Sequence, residues 1–318
     1  MNNKNLIFVG TSNTFYPVVD ELIKEEQINL IHWFFKNPSF DKEIELALKE
    51  NYTSRKDKAY FNVLDKLHFI FNTYIRMREA KGKSYYELIN MFNILYDYVF
   101  YILSKKVDYI FFTNIPHNGV DLIVYYIAKE LNIKTILFYN NPLFADRFFY
   151  IYDIEDFGIY NDIPKSSEKL EFIKLERNFK KDSVVKKGLK VEKRRQQCII
   201  EFFSSIFKMC LNKRVHTSFS YLIESYFKCK IFKRHLNSAV TSVDFNKKFV
   251  YFALHLQPEL HTSTLGGVYN DQILAIEKLS EILPNDFFIY VKEHPQQLFF
   301  QRDEYFFKRL KKLKNVKY

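Results

Sequence analysis

Short apolar segments alternate with helical segments at both ends of the chain, and this alternation constrains the fold more than any other feature. Apolar runs at residues 5–10 and 28–35 flank one helical pattern, and runs at 248–256 and 286–294 flank another. Strands that alternate with helices pair in parallel, because each helix carries the chain back to the same end of the sheet. The sequence therefore predicts an α/β protein with two Rossmann-like domains.

The same alternation divides the 318 residues into three predicted parts. Residues 1–160 are predicted to form the N-terminal domain and residues 246–318 the C-terminal domain. Residues 161–245 are polar, basic and rich in helical spacing, so we expect a helical linker or insertion there. A last strand begins at the final residues, NVKY, where a doubly wound domain needs further strands. We therefore expect the C-terminal domain to be truncated.

Positive charge is concentrated in the middle of the chain. Residues 165–234 hold 19 Lys and Arg against 7 Asp and Glu, a balance of +12, whereas the whole chain carries +11. This pattern predicts a surface for an anionic partner, and we expect peripheral contact with the inner face of the cytoplasmic membrane. Solvated helix faces are the alternative. A nucleic-acid binder is not expected, because the segment lacks a known binding motif and its aromatic residues have core-like spacing.

The cysteines and the termini exclude several classes of protein. Cys198, Cys210 and Cys229 form no C-x-x-C pair, and no Cys/His cluster has the spacing of metal ligands. We therefore predict free thiols and no metal. The N-terminus lacks the basic and apolar regions of a signal peptide, and no run of about 18 uncharged apolar residues is present. A cytoplasmic location is expected.

The loop after the strand at 248–256 is the first candidate site. It is rich in hydroxyls and glycine, and the residues predicted to hold a phosphate group are Thr262, Ser263, Thr264, Gly266 and Gly267. The following helix is predicted to begin at Gly267, and free N–H groups and the positive end of the helix dipole meet at that start, which favours an anion. An ordinary N-cap with a glycine turn is the alternative. Glu259 is predicted to act as a base or to bind a sugar hydroxyl, or else only to favour the helix start by its charge.

The next strand ends in KEHP, which gives Lys292, Glu293, His294 and Pro295. Ligands of open α/β sheets bind at the carboxyl ends of the strands, so this loop and the previous one are expected to form one pocket. Lys292, Glu293 and Pro295 are predicted to contact a nucleotide there. His294 is predicted to donate a hydrogen bond to a phosphate or to neutralise a leaving group. A histidine held by a backbone carbonyl is the alternative.

The N-terminal domain has polar strand ends of its own. Gly10 and Ser12 follow the first strand, without a G-x-G-x-x-G fingerprint, and His117 and Asn118 precede another helix. These four residues are predicted to bind the second substrate, the acceptor of a transferred group. Asn118 is equally expected as a simple helix cap. Asp156 lies in an acidic stretch after a further strand and is predicted to be a general base toward an acceptor hydroxyl. A solvated acidic turn is the alternative.

Two α/β domains with polar edges suit an enzyme that holds a nucleotide in one domain and an acceptor in the other. This arrangement predicts a glycosyltransferase whose nucleotide sugar is a substrate, so that no separate cofactor is needed. A nucleotide-sugar epimerase of the same architecture and an inactive scaffold subunit are the alternatives.

Two stretches, residues 107–158 and 247–297, resemble bacterial capsular polysaccharide biosynthesis proteins. The strings Q-P-E, L-G-G-V-Y and K-E-H-P carry the resemblance. That family is similar to GT-B-type glycosyltransferases, including capsule Kdo transferases and bacterial sialyltransferases. The resemblance implies transfer of a sugar from a nucleotide sugar to a growing capsular or surface polysaccharide or glycolipid.

The resemblance also implies roles for four residues. His294 and Pro295 match a His-Pro motif that lies near the phosphate of a nucleotide sugar, often a CMP-sugar. Gln257 and Pro258 match a Gln-Pro motif of the Kdo transferases, and the resemblance implies that they contact the nucleotide. GT-B enzymes generally work without a bound metal, which agrees with the absence of a D-x-D string. Such proteins usually continue into a Ser/Thr- and Gly-rich stretch that this sequence lacks.

Overall fold

The chain divides into two compact units, Met1–Lys165 and Ser166–Tyr318. Each unit contains its own β-sheet. The computed structural model describes residues 4–10, 15–25, 28–36, 40–50, 57–74, 83–140, 148–154, 219–295, 297, 299 and 301–318.

The first unit contains a sheet with five described strands in the order β2-β1-β3-β4-β5. The strands are β1 (Asn5–Val9), β2 (Asn29–Phe34), β3 (Tyr109–Phe112), β4 (Lys134–Asn140) and β5 (Phe148–Ile151). The pairs among β1, β2, β3 and β4 are parallel, while β5 runs antiparallel to β4. The predicted α/β class is thus confirmed, with a sheet that is mostly parallel.

Helices connect the parallel strands. They are α1 (Phe15–Glu25), α2 (Phe40–Lys49), α3 (Lys58–Leu64), α4 (Leu67–Tyr74), α5 (Tyr85–Leu103) and α6 (Gly119–Glu130). The longest of these, α5, begins at a capping box in which Ser84 accepts from the Glu87 amide and Glu87 accepts from the Ser84 amide. This exchange satisfies amides that a helix start otherwise leaves without partners.

Both faces of this sheet are covered. On one face, Val19 of α1 packs in a core cluster with Leu6, Phe8 and Trp33. On the other face, the ring of Tyr98 from α5 meets the ring of Phe34, with centroids 6.0 Å apart. Strands covered on both sides are nearly continuous in apolar residues, which is why the short apolar runs of the sequence identify them.

The antiparallel strand β5 changes where the chain leaves the sheet. Leu137 of β4 is paired with Ile151 at the end of β5. The hydroxyl of Thr135, near the start of β4, donates to the carbonyl oxygen of Tyr152 at 2.6 Å. Residues directly after β5 therefore lie at the amino edge of the sheet, opposite to the carboxyl ends of β1 and β3.

The second unit contains a parallel sheet in the order β6-β7-β8. Its strands are β6 (Lys248–Ala253), β7 (Phe287–Lys292) and β8 (Val316–Lys317), and its helices are α7 (Phe219–Ala239), α8 (Gln272–Ile282) and α9 (Glu304–Lys312). The predicted alternation of strands and helices at this end of the chain is confirmed.

Helix α7 belongs to the core of the second unit. Phe232 and Ala239 are buried in the same cluster as Phe307 of α9, and Leu236 packs against it. This helix falls within the predicted linker of residues 161–245, so the described part of that segment packs on the C-terminal sheet unit. None of the described helices combines the length and the apolar character that crossing a bilayer requires.

Candidate functional site

The loops that follow β6 and β7 are joined by a pair of glutamines. The amide N–H of Gln257 donates to Oε1 of Gln297 at 2.8 Å, and Nε2 of Gln297 donates to the carbonyl oxygen of Gln257 at 3.0 Å. Both residues are almost fully buried. The two loops therefore lie side by side at the carboxyl edge of the sheet, as expected for loops after neighbouring parallel strands.

A buried arginine fixes the same two loops from within. Arg302 is 1% exposed, and its Nε donates to Oε2 of Glu293 at 2.8 Å. Its Nη1 donates to Oε1 of Gln257 at 2.6 Å, and Tyr318 Oη donates to the same Glu293 oxygen at 2.8 Å. A buried guanidinium needs such a partner, because an unpaired charge in the interior is strongly destabilising.

This network changes the expected roles of Gln257 and Glu293. Both were predicted to contact a nucleotide, yet both side chains bind Arg302 inside the unit. In this arrangement they position the loops, and the loop backbone and its other side chains are left to meet a ligand. Arg302 is not identifiable as a site residue from the sequence, since nothing in its local pattern distinguishes it from a surface arginine.

The main chain of His294 is held on both sides by this network. Its N–H donates to Oε1 of Glu293 at 2.8 Å, and its carbonyl oxygen accepts from the Gln297 amide at 2.9 Å. The residue is half-buried, whereas Lys292 and Pro295 on either side of the loop are exposed. The position of His294 along the edge is therefore fixed, and the predicted contact of its imidazole with a phosphate stays a prediction.

A second glutamine pair fixes the start of the loop after β6. The His255 amide donates to Oε1 of Gln272 at 2.9 Å, and Nε2 of Gln272 donates to the carbonyl oxygen of His255 at 3.0 Å. Gln272 is the first residue of α8 and is 7% exposed. The strand end, the loop and the following helix are thus held together by side-chain amides that the sequence analysis did not identify.

The loop from Pro258 onward differs from the expected helix start. The peptide bond between Gln257 and Pro258 is cis, and Leu260–Thr264 forms one π-helical turn. The amides of Thr262 and Ser263 both donate to the carbonyl oxygen of Glu259, at 3.1 and 2.7 Å. These amides are therefore not available for an anion, and the expectation that they are free is wrong.

The helix itself begins later than predicted. Gly267–Asn270 is a 3₁₀ turn, and α8 starts at Gln272 rather than at Gly267. Glycine at 266 is required by packing, because a Cβ there would lie 2.4 Å from the Thr262 carbonyl oxygen. Gly267 has φ +53°, and a Cβ there would meet nothing within 4 Å. Its predicted close approach to a ligand remains compatible with this exposed position.

The hydroxyl and carboxylate of this loop have different surroundings. The Thr262 side-chain oxygen lies 3.1 Å from the Leu256 carbonyl and accepts from the Glu259 amide at 3.2 Å. Thr262 and Ser263 are buried, whereas Glu259 is half-buried. Thr262 is therefore a structural residue of the turn. The predicted role of Glu259 as a base or sugar-binding group stays a prediction.

In the first unit, Gly10 lies where the strand order reverses, between the carboxyl ends of β1 and β3. Its amide donates to the Phe34 carbonyl at 3.1 Å, and its carbonyl accepts from Trp33 Nε1 at 3.1 Å. Its φ is +123°, and a Cβ there would lie 2.0 Å from Thr113 Oγ1. Such a switch point is where doubly wound sheets bind ligands. Ser12, predicted beside it, lies outside the described residues.

His117 and Asn118 reach the same edge from the loop after β3. Buried Asp121 accepts from the His117 amide at 3.0 Å and from the Asn118 amide at 2.6 Å. His117 Nδ1 lies 2.6 Å from the Ile115 carbonyl oxygen, which only accepts, so Nδ1 carries the proton. Burial raises the pKa of Asp121. Asn118 occupies the N-cap position of α6, and its Nδ2 donates to Oδ2 of Asp121 at 3.3 Å.

Glu43 is a further carboxylate near this edge that the sequence analysis did not identify. Its Oε1 accepts from the Phe35 amide just after β2 at 2.9 Å. Its Oε2 is buried without a hydrogen-bond partner among the described residues. Burial raises the pKa of Glu43. This carboxyl group holds Phe35, whose φ is 60°, in a conformation that is rare for a residue with a side chain.

The acidic stretch after β5 does not join this edge in its described part. Asp153 accepts from Tyr125 Oη at 2.8 Å and from Lys129 Nζ at 2.6 Å. It follows an antiparallel strand and so lies at the amino edge, near a surface cavity of about 610 Å³ lined in part by Lys134. Asp156, the predicted base, lies outside the described residues. The described start of the acidic stretch thus lies at the amino edge, because a strand's direction decides at which edge it ends, and the role of Asp156 as a base stays a prediction.

Among the described residues, no three His, Cys, Asp or Glu side chains are grouped so that they could hold a metal ion. Comparisons with protein-family models, with curated proteins and with solved structures find no match to this chain.

Proposed function

We propose that this chain is a metal-independent glycosyltransferase of the GT-B type. It would move a sugar from a nucleotide sugar to a growing capsular or surface polysaccharide or glycolipid. The observation that carries the proposal is the joining of the loops after β6 and β7 by Gln257, Gln297 and Arg302. This network holds His294 at the carboxyl edge of a parallel sheet, which is where α/β proteins bind nucleotides.

The organisation of the chain supports the proposal at a coarser level. It has two compact units, each with a largely parallel sheet. We further propose that both sheets are cores of Rossmann-like domains. The first four strands of the first unit follow the 2-1-3-4 order of a doubly wound sheet. Gly10, His117 and Asn118 lie at its switch point and would serve the acceptor.

Transfer of the sugar requires two catalytic groups in addition to the groups that bind the substrates: a hydrogen-bond donor to the leaving phosphate and a general base. The phosphate oxygen of the leaving nucleotide gains negative charge as its bond to the sugar breaks, and His294 would stabilise that charge by donating a hydrogen bond. The acceptor hydroxyl loses a proton to a base as it attacks the sugar carbon. Glu259 and Asp156 are the candidate bases, and Gly267 would let the nucleotide approach the backbone closely.

A thermal-shift screen of the full chain against CMP-, UDP- and GDP-sugars tests the donor site. We expect nucleotide sugars of one class to raise the melting temperature of the wild type. His294→Ala should bind that nucleotide sugar at least about tenfold more weakly, since a hydrogen bond to a charged group contributes about 1.5–3 kcal/mol. His68→Ala, in the first unit, is the control and should respond like the wild type. No shift with any of these sugars would overturn the proposal.

Product analysis separates transfer from epimerisation. With the nucleotide sugar that stabilises the protein, a new glycosidic product should form only when an acceptor glycan is added. Interconversion of the sugar without an acceptor would instead support the epimerase of the same architecture. Binding without either product would support a scaffold subunit.

A further inference from the structure

Helix α7 is apolar on two opposite sides, and the part of the second unit that the structure describes, residues 219–318 with short gaps, buries one of them. Phe232 is 3% exposed and meets the ring of Phe307, with centroids 6.2 Å apart. On the other side, Ile223, Phe227 and Ile231 are 36%, 57% and 48% exposed. Burial of the first side explains why the helix packs on the core, but it does not explain the second set of apolar residues.

The exposed residues form a stripe with basic ends. Ile223, Phe227 and Ile231 recur at every fourth position, so they lie along one face of the helix. Lys230 and Arg234 are exposed and lie on the same face, since each follows an apolar residue of the stripe by three positions. We call these five residues the α7 outer face.

The charge of the helix favours an anionic partner. Residues 219–239 contain four basic residues and one acidic residue, Glu224. Glu224 is already paired with Lys228, with 2.6 Å between Oε1 and Nζ. Glu224 and Lys228 precede Phe227 and Ile231 by three positions, so this ion pair borders the α7 outer face, and the two cations of the face give it a net charge of +2. Apolar side chains flanked by long basic side chains are the pattern of helices that lie in a membrane interface.

We propose that the α7 outer face docks on the surface of an anionic lipid bilayer. Ile223, Phe227 and Ile231 would enter the boundary between head groups and acyl chains. Lys230 and Arg234 would extend along this surface to reach lipid phosphates, since their stems are apolar and their ends charged. The helix would lie flat on the bilayer without crossing it. Under the proposed function, this surface presents the glycolipid acceptor.

Co-sedimentation of the full chain with vesicles tests the docking. Vesicles of phosphatidylcholine with about one quarter phosphatidylglycerol should bind the chain, and vesicles of phosphatidylcholine alone should bind it much more weakly. Ile223→Ser/Phe227→Ser/Ile231→Ser should weaken partitioning about tenfold or more, because the apolar contact is lost. Lys230→Gln/Arg234→Gln should remove a large part of the salt dependence.

Matched controls come from the same unit. Val268 and Ile282 are 74% and 77% exposed, so Val268→Ser/Ile282→Ser removes exposed apolar surface away from α7. This variant should bind vesicles like the wild type. Urea unfolding of all variants checks that the fold is retained, which is expected because the substituted side chains of α7 contact solvent.

Three results would overturn the inference. The first is no binding of the wild type to the anionic vesicles, and the second is binding of the triple variant as strong as that of the wild type. The third is a wild type that is dimeric and does not bind vesicles, together with a triple variant that is monomeric. The assay contains no nucleotide sugar, so its failure is independent of the donor site. Conversely, a vesicle-binding chain without any nucleotide response would contradict the proposed function and leave the docking in place.

Discussion

The side chain of Gln297 binds both main-chain polar groups of Gln257, a residue 40 positions earlier in the chain. Because Gln257 lies in the loop after β6 and Gln297 lies in the loop after β7, the two loops are linked by one side chain. A ligand that orders one loop should therefore order the other as well.

Replacing Gln297 by leucine should destabilise the second unit. The substitution leaves the buried N–H and C=O of Gln257 without partners, and each lost partner costs about 1–3 kcal/mol. We expect a loss of about 2–6 kcal/mol in the free energy of unfolding, measured by urea titration. Asn285→Ala, at an exposed position before β7, should change it by less than about 0.5 kcal/mol. Equal stabilities for the two variants would show that the amide pair contributes nothing.

Arg302 and Glu293 should behave as a coupled buried pair. Arg302→Met or Glu293→Gln alone leaves a buried group without its charged partner, for which we expect a cost of about 3–5 kcal/mol. The double variant should lose clearly less than the sum of the single variants, as a double-mutant cycle in urea would measure. The exposed pair Lys248–Asp286 is the control, and its cycle should show no measurable coupling. Additive losses at Arg302 and Glu293 would contradict the pairing.

Two glycines with positive φ should respond differently to alanine. Gly10→Ala combines an unfavourable φ of +123° with a clash against Thr113, so we expect a loss of more than about 3 kcal/mol. Gly267→Ala meets no neighbouring atom, so only the backbone conformation is unfavourable and the loss should be about 1–2 kcal/mol. Thermal unfolding of both variants measures the difference. Gly10→Ala/Thr113→Ala should recover part of the loss, and similar melting temperatures for both glycine variants would refute this account.

His32 should make the first unit less stable in acid. Burial, with a smaller contribution from the charge of Lys105, lowers the pKa of His32 to about 4 from its usual 6.5. The unfolded chain therefore binds more protons than the folded chain between these values, and stability falls as the pH drops from about 6.5 to about 4. We expect this loss to reach up to about 3 kcal/mol.

Urea unfolding of the wild type and of His32→Asn over this pH range measures the effect of His32. The variant should lack the acid-dependent loss that His32 causes. The raised pKa of Glu43 acts in the opposite direction, but it is common to both proteins and cancels in the comparison. Parallel pH profiles would show that His32 is not buried as a neutral group.

The strands can be predicted from the sequence because each buried strand is a short apolar run between polar loops. The direction of β5 cannot be predicted in this way, because the direction of a strand depends on the path of the connection before it and not on the residues of the strand. Asp153 is the clearest consequence, since an acidic turn after a parallel strand and one after an antiparallel strand look alike in sequence. The start of α8 was also missed, as Gly267 and Asp271 interrupt what resembles one continuous helical pattern.

The candidate site was predictable in its location and not in its internal bonds. Proline, glycine and histidine at strand ends indicate loops at the carboxyl edge, and the structure has such loops at Pro258 and His294. Gln272, Gln297 and Arg302 were not found, because their partners lie 17, 40 and up to 45 residues away. Pairings over such separations have no period along the chain, so only the fold reveals them.

The reversed strand β5 also separates two sets of polar groups within the first unit. The described residues after β5 lie at the edge away from Gly10 and His117. The two edges are the height of β4 apart, about 23 Å for seven residues at about 3.3 Å each. A small ligand held at the switch point is therefore out of reach of a side chain placed directly after β5, such as Asp153.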